Sequence, residues 1–262
     1  MRGTTPRERV ALVTGAGRGI GAAIAGRLSA DGHPVAVCDI DQGRAERTAQ
    51  AIDDSGGRAT AVQADVSDAR SVAGMADEVT RRLGPPAILV NNAGVISAAS
   101  FTALAEAEWD RVLAVNLKGA YLCARAVLPT MLQAGWGRIL NIASDAGKTG
   151  EPYIAHYSAS KFGLVGLTQS LALEYAREGI TVNAVCPAIT DTDMMEQLAQ
   201  DMQRSGAGEP AEGWRAAFVA EIPLGRPMAP ADVAGVCAFL VRDDAAAVTG
   251  QAINISGGHE MH

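Results

Sequence analysis

The chain has 262 residues, of which 48% are hydrophobic and 19% are charged, a composition that fits one α/β domain over residues 1–262. The net charge of −7 argues against a basic surface for nucleic acid. The first nine residues are too polar for a signal peptide and no apolar run approaches about 18 residues, so we expect a cytoplasmic protein with no membrane segment.

Short apolar runs that alternate with longer segments predict strands and helices. Seven runs bounded by Gly, Asp or Pro predict strands at 10–15, 35–39, 60–65, 87–91, 138–144, 180–186 and 252–256. Apolar residues at three- and four-residue spacing predict helices over 20–30, 45–54, 69–83, 106–132, 155–177 and 231–241. The alternation predicts a doubly wound (Rossmann), seven-stranded parallel sheet with helices on both faces.

One segment is too long for a simple connection. About forty residues separate the sixth strand from the last helix. We therefore predict a substrate lid at about 190–230, and a surface insertion with no such role is the alternative.

The first predicted strand leads directly into a glycine-rich loop, TGAGRGIG at residues 14–21, which is followed by a predicted helix. Glycines permit a tight turn, close approach of the backbone to a phosphate and close helix packing, and N–H groups at the helix start favour a pyrophosphate. A glycine-rich loop alone is weak evidence, but this one lies between a strand and a helix. We predict dinucleotide contacts at Gly15, Arg18, Gly19 and Ile20.

An acidic residue ends the second predicted strand. The Asp39 carboxylate can accept hydrogen bonds from both ribose hydroxyls of an adenosine and would repel a 2′-phosphate, which favours NAD over NADP. A helix N-cap is the alternative role, which Asp41 could share. Arg18 leaves NADP open, because its guanidinium could reach a phosphate.

Two more predicted loops lie where strands end. Asp65 and Val66 are placed to bond adenine, and Asn92, Ala93 and Gly94 are small enough to admit a nucleotide. Each sequence alone could be an ordinary turn. Because parallel strands end at the same edge of a sheet, together they outline a cleft.

A tyrosine and a lysine four residues apart indicate acid/base chemistry. Tyr157 and Lys161 project from one face of a predicted helix, where an ammonium near a phenol stabilises phenolate and lowers the tyrosine pKa. Ser144 ends the fifth predicted strand, where its hydroxyl could bond the same substrate oxygen. Asn116 lies within a predicted helix, where it either holds a water or is a solvated surface residue.

In these motifs the chain resembles the short-chain dehydrogenase/reductase family over essentially its whole length. The resemblance rests on 14–21, Asp39, Asp65-Val66, 91–94, Asn116, Ser144, Tyr157, Lys161 and Pro187. It implies that Tyr157 is the acid/base, Lys161 binds the nicotinamide ribose, Ser144 positions the substrate oxygen and Asn116 anchors a relay water. It also implies dinucleotide contacts at Pro187, Ile189, Thr190 and Thr192, and a homotetramer built through the two long helices.

One position departs from the family pattern. Ala188 follows Pro187 where the family usually has glycine, and a methyl group there could displace Ile189 and Thr190.

No metal site is predicted. The four cysteines lie in apolar runs without a Cys-x-x-Cys pair, which predicts reduced core residues. His259 and His262 lack the spacing of a metal-binding His-Glu-x-x-His motif.

The substrate is less well defined by the sequence. Lys148, Glu151 and Tyr153 near the predicted mouth favour a small hydroxylated ligand. The chain resembles both NAD-dependent polyol and acetoin dehydrogenases and 3-oxoacyl-carrier-protein reductases. We expect an NAD(H)-dependent oxidoreductase acting on a small polyol, sugar alcohol or hydroxyketone. The alternatives are a 3-oxoacyl-carrier-protein reductase using NADPH, and a non-catalytic dinucleotide sensor or scaffold, against which the intact Asn-Ser-Tyr-Lys set argues.

Overall fold

A computed structural model describes residues 8–204 and 219–261. Within these residues, seven strands form one parallel sheet in the order β3-β2-β1-β4-β5-β6-β7. The prediction of a doubly wound parallel sheet is confirmed, and the strand order reverses between β1 and β4. The strands are β1 (Ala11–Thr14), β2 (Val35–Asp39), β3 (Ala59–Gln63), β4 (Ile88–Asn91), β5 (Gly137–Ile142), β6 (Ile180–Pro187) and β7 (Ala252–Ile255).

Eight α-helices lie in the described part of the chain. The predicted helix 106–132 is a continuous rod with a π-helical turn, Ala114–Lys118, in its middle. The helices are α1 (Gly19–Ala30), α2 (Gln42–Asp54), α3 (Ala69–Leu83), α4 (Glu106–Leu113), α5 (Gly119–Ala134), α6 (Ala155–Tyr175), α7 (Asp193–Arg204) and α8 (Pro230–Leu240).

The sheet separates two apolar cores. Successive residues of β1 point to opposite faces, so that Leu12 packs with residues of α3 and α5, whereas Val13 packs with residues of α1 and α8. Burial on both faces explains why β1, β2, β4, β5 and β6 are buried along their whole length and read as continuous apolar runs. The four cysteines are buried and free, as predicted.

The predicted lid is described in part. Helix α7 lies in its first half, and the backbone of Thr190 pairs with that of Met228 near its end. Residues 205–218, in the middle of the predicted lid, lie outside the described residues.

Judged by length and composition alone, one continuous helix of the described residues could cross a membrane. It runs from Glu106 to Ala134, and half of its most apolar window is buried inside the protein. Its second half, α5, packs against α3, β4 and β5. These contacts are those of a core helix, and they account for its apolar composition.

Candidate active site

A cleft of about 680 Å³ opens at the carboxyl ends of the strands, where the strand order reverses. This is where doubly wound sheets bind their ligands. Every predicted site residue except Asn116 lines the cleft: Gly15, Arg18, Gly19, Ile20, Asp39, Asp65, Val66, Asn92, Ala93, Gly94, Ser144, Tyr157, Lys161, Pro187, Ile189, Thr190 and Thr192.

The loop after β4 holds the glycine-rich loop in place. The side-chain amide of Asn92 donates to the backbone oxygens of Thr14 (3.0 Å) and Gly15 (2.9 Å). The Thr14 hydroxyl oxygen accepts from the N–H groups of Asn92 and Ala93, both at 3.1 Å. The Asn92 amide, in a loop predicted to bond a nucleotide, therefore supports the cradle on which a nucleotide would lie.

We expect Gly21→Ala to damage this cradle. A Cβ at position 21 would overlap the Gly15 oxygen and the Asn92 amide nitrogen, so one of them must move. The expected result is dinucleotide binding at least about tenfold weaker and a free energy of unfolding lower by about 1–3 kcal/mol. Dinucleotide titration and thermal unfolding measure both quantities.

Gly26→Ala is the matched control on the same helix, because nothing lies within 4 Å of its added Cβ. Replacing a helical glycine by alanine there should stabilise the protein by up to about 1 kcal/mol and leave binding unchanged. Equal binding by both variants would contradict the role given to the cradle.

The Asp39 carboxylate is fixed at the end of β2. It is 9% exposed, its Oδ2 accepts from the Gly17 N–H at 2.9 Å, and its Oδ1 accepts from the Asp41 N–H at 3.0 Å. Asp41 caps α2 by accepting from the Arg44 N–H. The capping role is therefore taken by Asp41, and Asp39 presents a negative charge to the cleft.

Arg18 of the glycine-rich loop forms an ion pair. Its Nη1 lies 2.7 Å from Oδ2 of Asp193, the first residue of α7, and both side chains are largely exposed. The pair links the glycine-rich loop to α7 across the mouth of the cleft. The guanidinium thus already has a carboxylate partner.

Asp65 stabilises a turn, which is the alternative role for this position. Its Oδ1 accepts from the N–H and the hydroxyl of Ser67, at 2.8 and 2.7 Å. Asp65 and Val66 still line the cleft. Their contact with adenine stays a prediction.

Tyr157 and Lys161 lie buried on one face of α6. The Lys161 Nζ is 5.4 Å from the centre of the Tyr157 ring and donates to the Ile142 backbone oxygen at 2.7 Å. Ser144, just beyond β5, donates its hydroxyl to Asp145 Oδ1 at 2.8 Å. The loop after β5 packs against α6, and its Ala146 lies in the same apolar cluster as Tyr157.

Burial dominates the electrostatics of this pair. Burial raises the pKa of Tyr157 above its ordinary value, and a hydrogen bond with Ser144 acts in the opposite direction. Burial lowers the pKa of Lys161 to about 8. Burial sets the direction of the Tyr157 pKa in this structure, and the stabilisation of phenolate by Lys161 stays a prediction. The phenol is protonated at neutral pH, which suits a proton donor.

Asn116 lies behind the wall of the cleft, in the π-helical turn. It is 2% exposed, so the alternative of a surface residue is wrong. Its amide donates to the Val95 oxygen and to Ser160 Oγ, both at 3.0 Å, and its Oδ1 accepts from the Val95 N–H at 2.8 Å. The side chain joins the loop after β4 to α6. Its water-anchoring role stays a prediction.

Ala188 fits where the family usually has glycine. Among the described residues, the positive φ angle outside glycine is that of Tyr153, at 65°, so Ala188 carries no such strain. Its N–H donates to the Ile255 oxygen at 3.1 Å, and its oxygen accepts from the Thr190 hydroxyl at 3.0 Å. The displacement of Ile189 and Thr190 by the methyl group stays a prediction.

The substrate end of the cleft has an apolar wall beside Tyr157. It combines residues of the loop after β4, of the segment before α6 and of α7: Val95, Ile96, Ile154, Met195, Leu198 and Met202. The polar residues that the sequence places near this mouth, Lys148 and Glu151, do not predict the wall. The spacing of Met195, Leu198 and Met202 is typical of an amphipathic helix and could have revealed it.

No group of three or more His, Cys, Asp or Glu side chains in residues 8–204 and 219–261 is arranged to hold a metal ion. His262 lies outside the described residues.

Known proteins are similar to the chain over most of its length. The family model described as short chain dehydrogenase matches residues 9–203. The 3-oxoacyl-[acyl-carrier-protein] reductase FabG of Staphylococcus aureus is 39% identical over 252 residues, covering 96% of this chain and 98% of that protein. The (3R)-3-hydroxyacyl-CoA dehydrogenase of Mus musculus is 38% identical over 261 residues, covering 96% of each chain.

A solved structure is also similar. Actinorhodin polyketide ketoreductase, solved with NADPH, has a TM-score of 0.92 and 39% identity, covering 97% of this chain and 98% of that one.

Proposed function

Because the chain belongs to the short-chain dehydrogenase/reductase family, whose members are oxidoreductases of hydroxyl and keto groups, we propose that it interconverts 3-oxoacyl and 3-hydroxyacyl thioesters. The observation that carries this substrate class is the apolar wall beside Tyr157, which suits an acyl chain better than a polyol. The names of the relatives favour the same class. The expected polyol, sugar alcohol or hydroxyketone is thus less well supported than this alternative.

The side chains around Tyr157 would divide the proton chemistry. A bound nicotinamide dinucleotide supplies or accepts the hydride at the substrate carbon. In reduction, Tyr157 gives its proton to the carbonyl oxygen, and Ser144 bonds the same oxygen. Lys161 binds the nicotinamide ribose and stabilises the phenolate that remains. Asn116 anchors the water through which Tyr157 regains its proton.

The cleft fits a nicotinamide dinucleotide. The glycine-rich loop leaves room for phosphates at Gly19, where an added Cβ would meet only Thr192, at 3.5 Å. We propose NAD(H) as the preferred form, because the Asp39 carboxylate would repel a 2′-phosphate. The similarity to a ketoreductase solved with NADPH does not favour NAD, so this preference rests on Asp39.

We propose that residues 1–262 form one domain and that the protein is cytoplasmic. We also propose that it is a homotetramer that associates through α5 and α6. Phe162 and Leu173, three turns apart on α6, are 46% and 87% exposed, and Tyr121 of α5 is 45% exposed. Between them on α6, Gly166 has nothing within 4 Å of an added Cβ. Light scattering measures the mass in solution, and a monomer would contradict this proposal.

A substrate panel tests the proposed reaction. The purified chain would be given 3-oxoacyl thioesters of several chain lengths, acetoin and sugar-derived ketones with NADH or NADPH, and the absorbance of the reduced nicotinamide followed. We expect thioesters to have the highest kcat/KM, increasing with acyl length. Turnover of acetoin or sugars alone would reject the thioester assignment.

Met195→Gln tests the apolar wall directly. The change keeps the side-chain length but places an amide against the acyl chain, so we expect the preference for long over short acyl thioesters to fall about tenfold. Glu196→Gln, on the exposed side of α7, is the control and should leave this preference unchanged. An unaltered chain-length profile in Met195→Gln would show that the acyl chain does not contact this wall.

A further inference from the structure

A carboxylate that the family motifs do not include lies next to Ser144. Asp145 begins a short 3-10 turn, Asp145–Gly147, directly after Ser144, and lines the cleft. Its Oδ1 accepts from the Ser144 hydroxyl at 2.8 Å and from the Ala146 N–H at 2.8 Å. The Ser144 oxygen itself accepts from the Ala146 N–H at 3.2 Å. The Ser144 hydroxyl proton is therefore directed at Asp145.

The same carboxylate acts on the tyrosine. Its negative charge opposes formation of phenolate at Tyr157, adding to the effect of burial. Burial raises the pKa of Asp145, while the hydrogen bonds from Ser144 and Ala146 oppose that rise. Several charged and titratable groups surround this turn. They are Lys148 at its end, Tyr157 and Lys161 of α6, Cys186 of β6, Glu151 of the loop before α6, and His259 and Glu260 near the C-terminus.

We propose that Asp145 is a positioning residue, whose carboxylate orients the Ser144 hydroxyl and whose charge keeps the proton on Tyr157. The inference rests on the acid/base role proposed for Tyr157. Asp145 holds the Ser144 side chain in place until a substrate oxygen takes over its hydroxyl hydrogen bond, and Tyr157 is the group that transfers a proton to the carbonyl oxygen. The same charge works against proton removal from an alcohol.

The sign of the effect follows from Coulomb's law. Removal of a negative charge beside the phenol stabilises phenolate, so Tyr157 loses its proton at lower pH. The rising limb of alcohol oxidation and the falling limb of ketone reduction both depend on that proton. Both limbs should therefore move to lower pH together.

Two substitutions separate the charge of Asp145 from its hydrogen bond. Asp145→Asn keeps an oxygen that can accept from Ser144 and Ala146 but removes the charge. We expect its profiles of kcat/KM in both directions to move about one pH unit lower, with kcat at the new optimum within about threefold of the original. Asp145→Ala also removes the acceptor, and we expect its kcat to fall about tenfold or more.

The control is Asp77→Asn, which removes one charge from the exposed side of α3. The four proteins would be compared between about pH 6 and pH 10 with the best thioester pair of the panel. Circular dichroism and thermal unfolding check that each variant is folded. Asp77→Asn should reproduce the original profile.

Each outcome bears on one claim. A downward shift in Asp145→Asn that Asp77→Asn lacks supports the inference. Profiles of Asp145→Asn that coincide with the original, that shift upward, or that shift no more than those of Asp77→Asn would overturn it, as would an unchanged kcat in Asp145→Ala. If Tyr157→Phe retains turnover, the proposed acid/base role fails first. If Tyr157→Phe is inactive and Asp145→Asn has an unshifted profile, the inference about Asp145 alone is wrong.

Discussion

Tyr157→Phe is expected to lower kcat/KM about 10³-fold while dinucleotide binding stays within about threefold. Phenylalanine fills the same buried space beside Leu198 and Ile154, so the change removes the hydroxyl and little packing. Without that hydroxyl, no group in the cleft stands in the same place to exchange a proton with the substrate oxygen. Steady-state kinetics with the best substrate of the panel, together with dinucleotide titration, measure the two effects separately.

Tyr175→Phe is the matched control for this loss. Tyr175 is the last residue of α6 and does not line the cleft. The same chemical change there should leave kcat/KM within about twofold. Near-original turnover by Tyr157→Phe would remove the tyrosine from the chemistry.

Asp39→Asn is expected to change the choice between dinucleotides. The amide can still accept a hydrogen bond from Gly17 or Asp41, but it no longer repels a 2′-phosphate. We expect the ratio of kcat/KM with NADPH to that with NADH to rise at least about tenfold, mostly through KM for NADPH.

Asp54→Asn is the control, because it removes one charge from the exposed far end of α2, outside the cleft. The ratio of its kcat/KM with NADPH to that with NADH should change by less than about twofold. If the Asp39→Asn ratio equals that of the original chain, the carboxylate does not contact the adenosine ribose.

The sequence predicts the sheet well, because five of its strands are buried on both faces and must be apolar along their whole length. All seven strands lie within a few residues of their predicted positions. The glycine-rich loop, Asp39 and the pair Tyr157 and Lys161 are predictable for a related reason, since each combines a residue type with a fixed place at a strand end or a helix face.

Properties that depend on a residue's neighbours in the fold cannot be predicted from the sequence alone. Burial raises the pKa of Tyr157, and the spacing of Tyr157 and Lys161 in the sequence does not show whether they are buried. Asn116 is equally consistent with a surface residue until the π-helical turn directs it at Val95 and Ser160. The apolar wall is hard to predict, because the residues close to Tyr157 in the sequence include polar ones such as Lys148. Met195 and Leu198 come from α7, a distant segment of the chain.

A crystal structure with bound dinucleotide and a 3-oxoacyl thioester tests the central claim most directly. The measured quantities are the distances from the keto oxygen to Tyr157 Oη and Ser144 Oγ, and the position of the nicotinamide ring. We predict that both hydroxyls lie within hydrogen-bonding distance of that oxygen and that its carbon faces the ring. A nicotinamide ring bound where Tyr157 Oη cannot reach the adjacent substrate would contradict the account.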